Sequence, residues 1–186
     1  KRNKLKNVFS KFVPLDVLRI LDNEALENKP PGESKVSLQT IAFIDIRDFT
    51  KLSEDLSPEE NFKLINKFYL IIGEEVVKYN GYIESYGGDG VKAIFPKTPQ
   101  DAIDASIKIS EKVVSLNIKM GISIHFGKVL VGTIGLDDRI QATSMLGINN
   151  ELLAMDHFNS KVGIEILISL PVLSLAKLDP SHFFYL

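Results

Sequence analysis

Residues 57–80, SPEENFKLINKFYLIIGEEVVKYN, constrain the fold more than any other stretch. Ser57 stands where an N-cap is wanted, Pro58 follows at the first helical position, and Glu60 completes a capping box. The apolar residues behind that cap recur at helical spacing, so a long one-sided helix is predicted. It must bury its apolar stripe against something, and the flanking segments read as strand. Residues 38–46, LQTIAFIDI, are a short apolar run rich in strand formers. Residues 82–86 and 91–95 flank Gly-Gly-Asp-Gly and predict a hairpin. A helix is predicted over 99–115, two strands over 118–135 joined near His125 to Lys128, a helix over about 149–160, and strands over 164–169 and near 183–186. This order predicts an α+β fold: an antiparallel or mixed sheet with helices on one face, a ferredoxin-like βαββαβ sandwich.

Upstream, Leu5, Val8, Phe9, Phe12, Val17, Leu18 and Leu21 predict a helix broken at Pro14, and Pro30-Pro31-Gly32 mark a loop over 22–36. Residues 1–35 are thus expected to form a helical lead-in and loop, and 36–186 the main domain. With 186 residues, 45% of them hydrophobic, the chain suits one domain with a sizeable core. A net charge of −2 gives no support for nucleic-acid binding. The absence of cysteine excludes disulfides and zinc-thiolate sites and fits a reducing, cytoplasmic setting. The first residue is Lys, and KRNKLK lacks the apolar core of a signal peptide. A sensor or membrane region is therefore expected outside this chain.

Asp45 falls near the end of the apolar strand and Asp89 at the hairpin tip. If those strands are neighbours, the carboxylates converge at one sheet edge. Like charges so placed are costly unless a cation neutralises them. Two carboxylates and a backbone carbonyl suit Mg²⁺ or Mn²⁺ with phosphate as the remaining ligand. The alternative is that Asp45 merely ends its strand and Asp89 shapes a turn. His125 and Lys128 read as a solvated turn, and Lys92 as a surface residue that alternates away from Asp89.

Three blocks, FIDIRDFTKLSEDLSPEENFKLINKFY, GYIESYGGDGVKAIF and MGISIHFGKVLVGTIGLDDR, resemble in order and spacing the class III adenylate/guanylate cyclase catalytic domains. The opening FSKFVPLDVLRIL is similar to the helical lead-in of many bacterial members. The resemblance implies metal binding by Asp45, Asp89 and the carbonyl of Ile46. It also implies two-metal conversion of a nucleoside triphosphate, ATP before GTP, to a cyclic nucleotide in signal transduction. Its members work as head-to-tail dimers, so a homodimer or a heterodimer with another cyclase domain is expected. YGGDG also resembles the hairpin of GGDEF diguanylate cyclases, but Gly90 stands where that signature is acidic.

The chain departs from the cyclase pattern at three places. The purine-reading positions hold Ser85 and Gly147, neither of which can read a base edge as the family's usual pair does. Asn150 matches the ribose-orienting asparagine, whereas Ala154 stands where the family has an arginine for transition-state charge. Activity is therefore expected to be weak or altered, the alternative being an inactive dimerisation or regulatory module.

Overall fold

The computed structural model describes residues 34–136 and 139–178. The expected lead-in helices, most of their loop, and the last strand near 183–186 lie outside the described residues. The elements in order are β1 (Ser34–Ile46), α1 (Phe49–Glu54), α2 (Pro58–Lys78), β2 (Tyr82–Gly87), β3 (Gly90–Phe95), α3 (Pro99–Val113), a 3-10 turn (Val114–Leu116), β4 (Met120–Leu136), β5 (Arg139–Gly147), α4 (Ile148–Val162), β6 (Ile166–Ile168) and α5 (Leu170–Leu175).

The sheet runs β2-β3-β1-β4-β5, and β6 pairs with β4 in parallel. Its first four strands have the order of a βαββαβ ferredoxin-like unit, as expected. Both crossover helices begin as their sequences dictate. Ser57 Oγ accepts from the Glu60 N–H (3.3 Å) while the Ser57 N–H donates to Glu60 Oε2 (2.9 Å). Thr98 and Asp101 make the same reciprocal cap on α3, again followed by Pro. Phe68, Ile72 and Val76 of α2 and Ala102, Ile103 and Ile109 of α3 pack on Ala42, Ile44, Val91, Ala93, Ile122 and Ile124. Each large apolar side chain buried this way contributes roughly 1.5–3 kcal/mol. Lys112 of α3 reaches the nearly buried Glu75 of α2 at 2.6 Å and ties the two helices together.

Three expectations need correction. Residues 34–36 are strand, not loop, because they pair with Leu130–Gly132. The expected break near His125 to Lys128 is absent. Those residues pair in unbroken register with Leu38–Ile41, so 120–136 is one strand of 17 residues. Helices also cover both faces rather than one. On the face opposite α2 and α3, Leu152 of α4 packs with Ile41, Ile94, Val129 and Val131.

Candidate active site

Asp45 lies on this second face, in the central strand, with Gly90 opposite it in β3 and Gly121 opposite it in β4. Both glycines matter because neither has a β-carbon. At Gly90 one would lie 3.0 Å from Cζ of Phe43 and 3.3 Å from Oδ1 of Asp45. At Gly121 it would collide with the Arg47 guanidinium. Arg47 therefore lies flat on β4, where Nη1 donates to Asp156 of α4 at 3.2 Å.

The Gly-Gly-Asp-Gly turn brings Asp89 to the same end of the sheet. Gly87 and Gly90 pair across a two-residue loop, and Gly88 takes φ 66°, a conformation glycine adopts at no steric cost. The tip is held from two sides. The Ile46 N–H donates to the Asp89 carbonyl (3.3 Å), and the Tyr69 hydroxyl donates to the Gly88 carbonyl (2.6 Å). Tyr69 also stacks at a tilt against Tyr86, ring centroids 4.5 Å apart.

Burial, and after it the negative charges of Asp89 and Asp156, push the Asp45 carboxyl up to about 7, although Arg47 and the Ile46 N–H oppose the shift. A cation would relieve this like-charge crowding, so the donor set suits a hard divalent ion. Among the described residues no group of three or more His, Cys, Asp or Glu side chains could hold a metal. The site thus offers the two carboxylates Asp45 and Asp89 and backbone oxygens.

Ser85 lies on the same face, directly opposite Lys92. Its Oγ donates to Oε2 of Glu84 (2.6 Å), and Nζ of Lys92 lies 3.3 Å from that same oxygen. Lys92 is therefore not the outward surface residue expected. It lies two residues from Gly90, the neighbour of Asp45, and shares that face. His125 likewise sits mid-strand rather than in a turn, and burial lowers its basicity.

Gly147 pairs with Val129, eight residues along β4 from the Gly121 that faces Asp45. At strand rise that separates them by about 27 Å. Asn150 and Ala154 are exposed on α4. One chain brings together Asp45, Ile46 and Asp89, with Ser85 on the same sheet face, and leaves Gly147 far along β4 and Asn150 exposed on α4. Sequence reading missed Arg47, Asp156, Glu84 and Lys92. For Lys92 the signal was present: counting alternation from Gly90 rather than from Asp89, which is in the turn, gives its face.

The sheet order defines a ferredoxin-like α+β domain, and this one carries two carboxylates at the end of β1 and the β2–β3 turn. Residues 19–128 match the family model described as GTP cyclohydrolase III. The chain is 30% identical over 185 residues to an adenylate cyclase of Anabaena cylindrica, covering 90% of this chain and 37% of that protein. It superimposes on a bacterial light-regulated adenylyl cyclase with TM-score 0.82 at 22% identity, covering 95% of this chain and 55% of that one. It also superimposes on the guanylyl cyclase Cya2 with TM-score 0.61 at 26% identity, covering 76% and 79%. The chain belongs to the family that the GTP cyclohydrolase III model describes, and it is a class III cyclase domain. It spans little more than a third of the Anabaena relative's length. No helix among the described residues is long and apolar enough to cross a membrane.

Proposed function

We propose that this domain binds a metal–nucleoside triphosphate between two chains and converts it slowly to a 3′,5′-cyclic nucleotide and pyrophosphate. The observation that carries the reading is the convergence of Asp45 and Asp89 beside Ile46, where burial first and the charges of Asp89 and Asp156 second push the Asp45 carboxyl up to about 7. These two carboxylates and the Ile46 carbonyl would hold Mg²⁺ or Mn²⁺, which when bound would neutralise charge on the triphosphate and the attacking oxygen. In the reaction the ribose 3′-hydroxyl gives its proton to water, its oxygen bonds to the α-phosphorus, the bond from that phosphorus to the bridging oxygen breaks, and pyrophosphate leaves. Asn150 of a second chain orients the ribose. The separation of Gly147 from the Asp45 end supports a site shared across a two-fold axis, because such an axis returns each chain's missing half.

Ser85, Gly147 and Ala154 support low activity and a loose choice of base. Loss of one charge-stabilising contact typically costs about 10²–10³ in rate. ATP is the expected substrate, with a cytoplasmic setting and a sensor or membrane region elsewhere in the protein. The same three residues support a second reading, a pseudo-cyclase that dimerises and binds nucleotide without chemistry.

Production of cyclic AMP and cyclic GMP with Mn²⁺, compared between this chain and Asp45→Ala, tests the proposal. Cyclic nucleotide that disappears in Asp45→Ala supports it. Nucleotide binding without product supports the pseudo-cyclase. Consumption of GTP without cyclic product points instead to the activity that the family model is named for.

A further inference from the structure

We propose that Lys92, reaching across from β3, is the base-reading group of this chain and recognises the acceptor on a purine's six-membered ring, adenine N1 or guanine O6. The inference rests on reading Asp45 and Asp89 as the triphosphate end.

Ser85 is too short and neutral to read a base, but its direct cross-strand partner is a lysine on the same sheet face. Opposed residues place their β-carbons about 4.5–5.5 Å apart, so an ammonium on Lys92 serves the space that a long side chain on residue 85 would serve. Lys92 also lies opposite Phe43, two residues from the Gly90 that faces Asp45. At strand rise this places it about 7 Å along the sheet from the carboxylates.

Two further features favour recognition. Glu84 is 2% exposed in its side chain and engages Lys92 and Ser85 through one oxygen, which holds the ammonium in place instead of letting it swing into water. An ammonium has three donors, and Glu84 takes one. Lys92 itself keeps 22% of its side chain exposed, so the group is anchored yet accessible. Between Lys92 and Asp45 the Phe43 ring settles over Gly90, an apolar wall against which a flat ring can lie. An apolar wall with one fixed polar group is what a binding site for a heteroaromatic ring requires.

Calorimetry with Mn²⁺ and three probes tests this: 3′-deoxyATP, 3′-deoxyGTP and inorganic tripolyphosphate. The two nucleotides lack the attacking hydroxyl, so binding is read without turnover. In Lys92→Met, affinity for the preferred purine nucleotide should fall about 10- to 100-fold while tripolyphosphate binding is unchanged. Lys92→Arg should restore part of the loss. A purely structural Glu84–Lys92 pair would lower the melting temperature in Lys92→Met without changing the ratio of nucleotide to tripolyphosphate affinity, and that result overturns the inference. So does a parent chain that binds tripolyphosphate as tightly as either nucleotide. A folded parent that binds none of the probes overturns both this inference and the reading it rests on.

Discussion

At the β1–β3 end, Asp45 and Asp89 are surrounded by side chains and glycines that fix their positions. Gly90 and Gly121 clear the space beside Asp45, Arg47 lies across β4 to Asp156, and Tyr69 pins the turn. On α4 the contrast is plain. Leu152 is anchored in the core, but Asn150 and Ala154 stand exposed, and Gly147 offers only backbone at the end of β5. One region keeps side chains that gather negative charge, and the other lacks the groups that would stabilise charge on a reacting phosphate. On the proposed reading binding rests on the well-built first region and rate acceleration on the thin second one, since only interactions gained in the transition state raise kcat.

The strongest way to break the comparison is to repair the thin region. Ala154→Arg should raise kcat for cyclic nucleotide formation by roughly 10²–10³ with little change in KM. Turnover with ATP and Mn²⁺ under saturating nucleotide measures this, and an unchanged kcat in a folded dimer shows that more than charge is missing from α4.

Damage to the well-built region comes next. Gly121→Ala puts a methyl where the Arg47 guanidinium lies, so Arg47 must leave and its bond to Asp156 is lost. A cost of about 1–3 kcal/mol in urea unfolding is expected, with weaker Mn²⁺ binding.

The third prediction concerns pH. The native fold holds the Asp45 carboxyl at about 7 against an ordinary 3.8, so the folded state favours the protonated form. The resulting penalty is absent at pH 3–4, grows as pH rises, and is complete above about 7. In the metal-free protein Asp45→Asn should be neutral near pH 4 and stabilising by about 1–2 kcal/mol at pH 8, water screening the exposed part of the carboxyl. Thermal unfolding across that range checks it, and added Mn²⁺ should stabilise the parent but not the variant.

The smallest effect belongs to a site in neither region. Lys112→Met removes the main partner of Glu75, leaving Lys78 at 3.5 Å, and should slightly lower the unfolding midpoint while nucleotide binding stays unchanged. Paired unfolding and calorimetry measurements separate the framework from the site.

The legibility of these regions in the sequence also differs. The capped helix α2, the hairpin and the strand under Asp45 announce themselves by local chemistry: a capping box, a glycine-rich turn, a run of strand formers. The position of Asp45 and Asp89 at one end of the sheet followed from that order. Long-range register did not. Gly127 suggested a turn in β4, but pairing with the whole of β1 overrides a local glycine. Helix α4 was foreseen, whereas its packing on the second face was not, because Leu152 meets Val129 and Val131 only after β5 has folded back. Arg47 was unremarkable in the sequence, since what makes it special is the hydrogen atom that is the side chain of Gly121. Lys92 was misjudged because alternation was counted from a residue in the turn.

Strand β4 has a mechanical consequence. It pairs with β1 over thirteen consecutive residues, Met120–Gly132, and on its other edge with β5 over Val129–Leu136, so it joins the carboxylate end to the Gly147 end as one stiff member. Sliding it by one residue would turn every inward side chain outward. Within one chain a signal therefore changes the angle between the two regions, twisting the sheet about the axis of β4 while their separation and its register stay locked.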